Sequence, residues 1–308
     1  MKAAIKTELQ TMDNANAVKA ESFESHQKKA ELQRKLAPWL LLSPASIFLG
    51  ILILASLMIL RVSFGQKGME WDVWSLQNYQ MLGQSLYLRS ILLTFRLAFI
   101  SAIVVMILGY PLAMFMARAK SNFIRLIMTF IVLLPLFLNL LFQSYGWLII
   151  LSPAGLLNKL LMASGITDRP LLFLFNETGV LIGLIQTSFP LAVLPMVSAL
   201  RNIPPSLGEA ATTLGASRIK VFLHVTFPLS LPGVIGGSLL VFAFNASAFV
   251  IPFLLGGRRV SMLAVLIRDQ MGPLLNWPLG ASNAVILVLI TLIILTVYQN
   301  VTGRFTRM

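Results

Sequence analysis

Long stretches without any charged residue are the feature that most restricts the fold of this 308-residue chain. Six of them exceed the roughly 20 residues that a helix needs to cross a bilayer. They cover residues 36–60, 97–117, 126–158, 178–200, 221–257 and 270–303. Only 11% of the residues are charged, against about 25% in a typical soluble domain. That is too few to cover a water-facing globule, so an ordinary soluble enzyme and a disordered chain are both excluded.

Prolines, glycines and polar clusters mark the loops within these stretches and so give the bounds of six predicted spans. The predicted spans are 38–60, 90–117, 126–150, 178–200, 229–254 and 280–301. The expected fold class is therefore all-α, a polytopic membrane bundle of six transmembrane helices. The first apolar run is too long for a cleaved signal peptide and no A-x-A-like site follows it, so we expect it to be retained as an anchor.

Lysine and arginine are unevenly distributed over the segments that connect these spans. If both termini lie inside, the inner segments carry fifteen Lys and Arg and the outer segments carry eight. The short loop 118–125 alone holds three, with no acidic residue. Because positive loops stay in the cytoplasm, both termini are predicted to be cytoplasmic. Residues 1–37 are then a polar cytoplasmic segment, a solvated tail or a surface helix, ahead of a membrane domain over 38–305.

Catalytic and ion-coupling residues are scarce in this sequence. No Gly-Lys dipeptide occurs, so the chain lacks the phosphate-binding loop that nucleotide hydrolysis requires. There is no cysteine, and the two histidines, His26 and His224, lie far apart, so no disulfide and no metal site are predicted. No Asp or Glu lies within the predicted spans, although ion-driven carriers usually keep one there. We expect a chain without an energy source of its own.

The predicted cytoplasmic segment 201–228, between the fourth and fifth spans, carries specific local signals. A Pro-Pro pair should end the preceding helix. Ser206 and Glu209 have the spacing of a capping box, which predicts a short helix over about 207–214. Gly215 stands where a glycine would end that helix in the left-handed conformation.

A second short helix, over about 217–226, is expected before Pro228, where the fifth span would begin. Two short helices joined by a turn can in principle enter a DNA groove. This pair is tied to the membrane at both ends and offers only Arg218 and Lys220 as cations, so nucleic-acid binding is not expected.

A family resemblance rests on the same segment. Glu209-Ala210-Ala211, then Gly215, then Val225-Thr226-Phe227-Pro228 resemble the EAA motif of permease subunits of bacterial ABC importers. That motif reads E-A-A, three residues, G, nine residues and I-x-L-P, and the spacing agrees at every position. Val225 stands in place of Ile and Phe227 in place of Leu, and both replacements are apolar.

The resemblance implies that two permease subunits form a membrane pathway, and that each places its EAA segment in a cleft of a cytoplasmic ATPase subunit. It assigns ATPase coupling to Ser206, Glu209, Ala210, Ala211, Gly215, Val225, Phe227 and Pro228. ATP and Mg²⁺ would be bound by the partner ATPase dimer, and this chain would hold no cofactor. An external solute-binding protein and a second permease, expected to be a different homologous chain, would complete the assembly in a bacterial inner membrane. Bulky or charged substitution at Gly215 or Ala210 should then uncouple transport without loss of folding.

The substrate is less sharply indicated than the family. The stretches LGYPLAMFMAR (108–118) and NWPLGAS (276–282) resemble those of spermidine/putrescine permeases, which implies a polyamine or a related small organic solute. LGYPLA-like sequences are also similar to permeases for ferric iron, thiosulfate and other small solutes, and these stay open as alternatives. From other functional classes, a self-sufficient channel or secondary carrier and a membrane enzyme are the competing interpretations.

Polar side chains within the predicted spans are the candidates for contact with a transported solute. We single out Asn139, Gln143, Gln186 and Asn245. A buried polar group in a helical bundle more often bonds a neighbouring helix than a substrate, so each of them also has a structural interpretation. Arg96, near the outer end of the second span, is expected to extend to the outer headgroups.

Overall fold

The computed structural model describes residues 42–303, which form helices and loops with one isolated β-bridge between Gln66 and Met69. The predicted polar segment 1–37 and the first residues of the first span lie outside the described residues. Helices dominate because an apolar run in lipid must satisfy every backbone N–H and C=O within the same segment. The helical fold class is confirmed.

The helices differ widely in length, from one turn to more than nine. In chain order they are α1 Leu42–Ser63, α2 Gln77–Met81, α3 Ser85–Arg118, α4 Asn122–Phe137, α5 Leu140–Leu151, α6 Leu156–Ala163, α7 Glu177–Arg201, α8 Pro205–Thr213, α9 Arg218–Val221, α10 Phe227–Ala246, α11 Leu263–Met271 and α12 Trp277–Gly303, with π turns at Phe222–Thr226 and Pro252–Gly256 and a 3₁₀ turn at Gly257–Arg259.

Among the described residues, six helical stretches are long and apolar enough to cross a membrane, as the charge-free stretches predict. They cover Leu42–Ser63, Ser85–Arg118, Leu140–Ala163, Glu177–Arg201, Arg218–Ala246 and Trp277–Asn300. The bounds of four agree closely with the prediction, and the third and fifth depart from it.

The predicted third span, 126–150, is broken into α4 and α5. Asn139 forms the N-cap of α5, and its Oδ1 accepts a hydrogen bond from the backbone N–H of Leu141 at 2.8 Å. Gln143 Nε2 donates to the carbonyl oxygens of Pro135 at 2.6 Å and Leu138 at 2.8 Å. The prediction of one continuous helix was wrong because these amides satisfy backbone groups that a break would otherwise leave unpaired in lipid.

The predicted fifth span, 229–254, begins earlier and ends earlier than expected. One helical stretch runs from Arg218 through the π turn into α10 and stops at Ala246. The helix predicted over about 217–226 is present at residues 218–226, as α9 and the π turn, but it continues directly into α10 instead of ending before Pro228. Pro228 lacks an N–H and its ring would clash with the carbonyl four residues earlier, and the wider π turn just before it accommodates the proline without ending the helix.

The chain divides at Ile59 into two units. In the first, the described residues are the helical residues 42–59, whose large apolar side chains are mostly exposed. In the second, α3, α7 and α10 pack around the main hydrophobic core. Its buried members include Ala102, Val105, Met116, Ala192, Val193, Met196 and Val241.

Two glycines let α10 approach α7 at backbone distance. A Cβ built on Gly233 would lie 2.4 Å from Ala199 Cβ and 2.6 Å from the Pro195 carbonyl oxygen. A Cβ on Gly237 would lie 3.0 Å from both the Cα and the carbonyl oxygen of Ala192. This i, i+4 pair is the small-residue arrangement by which membrane helices gain van der Waals contact in the absence of a hydrophobic driving force.

Arg96 lies about three turns into α3 and has a protein partner. Its guanidinium pairs with the Glu177 carboxylate at the start of α7, and both side chains are about half exposed. The sequence did not indicate this partner, and the pair joins α3 to α7.

Candidate functional site

The helix α8 lies in the segment that carries the EAA resemblance, but its start differs from the predicted one. α8 begins at Pro205, its N-cap is Pro204, and it has no side-chain cap hydrogen bond. The capping box of Ser206 and Glu209 is therefore wrong. Pro205 occupies the first helical position, where its missing N–H costs nothing, and this moves Ser206 inside the helix.

The end of α8 has the predicted glycine geometry. Gly215 has φ = +85°, the left-handed conformation that an L side chain rarely adopts. Its N–H donates to the Thr212 carbonyl at 2.9 Å, and the N–H of Ala216 donates to the Ala211 carbonyl at 3.0 Å. These two bonds are those of a Schellman motif, so Gly215 sets the direction in which the chain leaves α8.

The side chains of α8 and of its C-cap residue, Leu214, divide into an apolar face and a polar face. Leu207, Ala210, Ala211 and Leu214 follow an i, i+3, i+4, i+7 pattern, which places them on one side of the helix. None of the α8 residues is buried, and Leu214 is 89% exposed. We call these four residues the α8 apolar face. Glu209 lies on the opposite side, so the acidic and the alanine positions of the motif point in different directions.

The C-terminal part of the motif ties the segment to the core. Phe227 packs against Tyr110 of α3 with ring centroids 5.7 Å apart, and Phe222 contacts the same tyrosine at 6.0 Å. The Tyr110 hydroxyl and Ser230 Oγ are hydrogen-bonded at 2.8 Å. Val225 is half-buried in the π turn and Pro228 is exposed in the first turn of α10. This aromatic cluster anchors the start of α10 against α3.

Comparison with known proteins identifies the family. Residues 105–307 match the family described as the binding-protein-dependent transport system inner membrane component. Over 248 residues the chain is 33% identical to the spermidine/putrescine transport system permease protein PotB of Escherichia coli strain K12, with 80% of this chain and 90% of that protein covered. The chain belongs to this family. It is a multi-pass permease subunit of an ABC importer, and it is not an enzyme.

A second relative agrees with this assignment, and a solved structure shows the same fold. PotB of Haemophilus influenzae is 31% identical to the permease over 259 residues, covering 83% of this chain and 90% of that protein. The crystal structure of a bacterial ABC transporter involved in the import of the acidic polysaccharide alginate contains a chain of the same fold. It has a TM-score of 0.75 at 19% identity and covers 90% of the permease and 98% of that chain.

Two of the four predicted pathway candidates form hydrogen bonds with backbone groups at the break between α4 and α5. Asn139 is exposed and caps α5, while Gln143 is only 8% exposed and bonds the carbonyls beside the break. Gln143 Oε1 is buried without a hydrogen-bond partner in the described part of the chain. Both amides stabilise the same break, and each does so by bonding different backbone groups.

The other two candidates bridge helices. Gln186 of α7 is half-buried, and its Oε1 accepts from Trp147 Nε1 of α5 at 3.1 Å. Asn245 of α10 is fully buried, and its Nδ2 donates to Ser101 Oγ of α3 at 2.7 Å and to Ser188 Oγ of α7 at 3.1 Å. Asn245 therefore joins the three core helices and is not accessible to a solute in this conformation.

Sequence reasoning missed the partners of these amides. Trp147 and Ser101 were not singled out, because an indole or a lone serine in an apolar helix has no distinctive spacing. The sequence pattern that could identify the partners of Asn245 is a serine on each of two long apolar helices together with a single asparagine on a third. Such groups find one another in lipid because water is absent.

Replacing Asn245 with alanine is expected to weaken the helix bundle while leaving substrate affinity unchanged. Two interhelical hydrogen bonds are lost, and together they contribute about 1 kcal/mol in a membrane bundle. Thermal unfolding of the detergent-solubilised protein and the KM of uptake measure the two effects separately.

Ser247→Ala is the matched control for Asn245→Ala. Ser247 is exposed and its hydroxyl donates only to the carbonyls of Ala243 and Phe244 in its own helix. A raised KM with unchanged thermal stability in Asn245→Ala would show that Asn245 contacts substrate.

Proposed function

We propose that the permease couples solute import to a separate ATPase through α8. The observation that supports this proposal is the α8 apolar face, in which Leu207, Ala210 and Leu214 are exposed and Ala211 is half-buried. It carries the two alanines of the EAA motif and is followed by a left-handed glycine. An exposed apolar helix face rimmed by polar residues suits insertion into a groove of a partner protein. ATP and Mg²⁺ are bound by that partner, since this sequence has no phosphate-binding loop.

The proposed orientation places α8 and both termini in the cytoplasm. The excess of Lys and Arg on that side of the predicted spans supports it. The proposed assembly contains this permease, a second homologous permease, an ATPase dimer and an external solute-binding protein, in a bacterial inner membrane. ATP-driven closure of the ATPase pair displaces α8 and turns the pathway between its inward and outward states.

The proposed substrate is a polyamine such as spermidine or putrescine, or a related small organic solute. The PotB relatives, which are permease proteins of spermidine/putrescine transport systems, support it. Ferric iron, thiosulfate or another small solute is the alternative within the family.

Gentle detergent purification of the tagged permease from its native membrane tests this proposal. We expect an ATPase subunit and a second permease to co-purify, identified by mass spectrometry. Recovery of the chain alone, with solute flux in liposomes that contain no ATPase, would support a channel or secondary carrier instead.

Uptake measurements then address the substrate separately. We expect cells lacking the permease to lose ATP-dependent uptake of labelled spermidine and putrescine, and unlabelled polyamine to compete in wild-type cells. Competition by thiosulfate or ferric iron, with no effect of polyamine, would be consistent with the importer proposal and would contradict the polyamine proposal.

A further inference from the structure

A cleft of about 920 Å³ opens behind α8, on the side away from the α8 apolar face. Gly208, Glu209, Thr212 and Thr213 of α8 form one wall, at positions that share the polar side of the helix. The other walls come from the C-terminal ends of α3 and α7, from α9 and from the π turn. A volume of this size lies within the range of small-molecule sites, roughly 300–1,000 Å³.

Four cations and one carboxylate line this cleft. The cations are Arg118 at the end of α3, Lys120 just after it, Arg201 at the end of α7 and Arg218 at the start of α9. The carboxylate is Glu209. Both ion pairs found within residues 42–303 lie elsewhere, at Arg96–Glu177 and Arg268–Asp269, so none of the four cations is neutralised by a described acidic side chain.

The cleft also has apolar walls and lies where two spans end. Met114, Leu200, Val221 and Phe222 contribute the apolar lining. Arg118 and Arg201 are the last residues of α3 and α7, so their guanidinium groups are at the depth of the lipid headgroups once these helices span a bilayer. Arginine binds phosphate oxygens through paired N–H donors and is the side chain that most favours this geometry.

We propose that this cleft binds a phosphate-bearing anion through Arg118, Arg201 and Arg218, with Lys120 adding long-range attraction. The phosphate belongs either to an anionic phospholipid, whose upper acyl chain lies against the apolar wall, or to a soluble phosphate compound. Because the cleft and the α8 apolar face are on opposite sides of α8, the anion does not compete for Ala210 and Ala211, the two alanines of the EAA motif. An occupied cleft then holds α8 at a fixed distance from the ends of α3 and α7. The inference does not depend on the identity of the transported solute.

Binding to the delipidated importer complex, followed by native mass spectrometry, tests this proposal. The probes are phosphatidylglycerol, zwitterionic phosphatidylcholine and inorganic phosphate. We expect phosphatidylglycerol to bind more tightly than phosphatidylcholine, and Arg201→Gln and Arg118→Gln to weaken its binding about tenfold each. Arg259→Gln, which removes an exposed arginine outside the cleft, should bind like the wild type.

A variant that is expected to bind more tightly tests whether misfolding accounts for weaker binding in the arginine variants. Glu209→Gln removes the one carboxylate of the cleft and should tighten phosphatidylglycerol binding severalfold, which a damaged protein would not do. Binding of inorganic phosphate with the same dependence on Arg118 and Arg201, without selectivity among lipids, would support the site with a soluble ligand. Equal losses in Arg201→Gln and Arg259→Gln, or no phosphate-dependent binding, would overturn the proposal.

Discussion

Replacing Gly215 with valine is expected to reduce substrate uptake at least tenfold while the permease stays in the membrane at its normal amount. Gly215 has φ = +85°, and a left-handed backbone costs an L residue about 1–2 kcal/mol, more for a β-branched one. Nothing lies within 4 Å of a Cβ built at this position, so the cost is in the backbone and not in packing. The Schellman bonds open, α8 changes direction, and the bundle beneath it is undisturbed.

Two variants separate this effect from a general loss of stability. Gly215→Asn should retain most of the uptake, because asparagine tolerates the left-handed conformation. Gly165→Val carries the same backbone cost, with φ = +71° and an open environment, at a position far along the chain from α8. Uptake measured with membrane abundance by immunoblot compares them. Normal uptake by Gly215→Val, or equal losses of uptake in Gly215→Val and Gly165→Val, would contradict the proposed coupling role of α8.

Replacing Gly233 with valine is expected to prevent the permease from accumulating in a folded form. The first added carbon would lie 2.4 Å from Ala199 Cβ and 2.6 Å from a backbone oxygen of Pro195, and neither atom can rotate away. The two core helices must separate, which removes contacts along the whole α7–α10 interface. Overpacking of this kind costs about 3 kcal/mol or more, a large share of the stability of a domain.

Gly236→Val is the matched control because it lies in the same helix with nothing within 4 Å of its built Cβ. It should accumulate normally and show a thermal midpoint close to that of the wild type in detergent. Fluorescence-detected size-exclusion chromatography of both variants measures the folded fraction. If Gly233→Val gives as much monodisperse protein as Gly236→Val, the close approach of α7 and α10 is not a requirement of the fold.

The membrane helices could be predicted from charge-free length, but their interruptions could not. The stretch 126–158 contains no charge, and hydropathy alone gives no reason for it to break near Asn139. The break depends on Gln143 reaching back to two carbonyls, a three-dimensional match that periodicity does not encode. The fifth span differs from the prediction for a related reason, since a proline typically begins a helix and here the π turn allows the helix to continue through Pro228.

The two ends of α8 show why local signals differ in reliability. Gly215 could be identified because few residues other than glycine adopt a positive φ at a helix end. The spacing of Ser206 and Glu209 fits a capping box equally well. However, Pro205 occupies the first helical position, so Ser206 lies inside the helix and cannot be its N-cap. The cleft behind α8 was beyond prediction, since its cations come from three helix ends that are distant in sequence.

The uninterrupted helical path from Arg218 to Ala246 gives the permease a lever arm. Its 29 residues extend over about 40 Å at 1.5 Å per residue, so each degree of tilt at the α9 end displaces the far end by roughly 0.7 Å. The far end carries Asn245, whose amide holds serines of α3 and α7. Any tilt of this helix is therefore opposed at its far end by the buried hydrogen bonds that join α10 to α3 and α7.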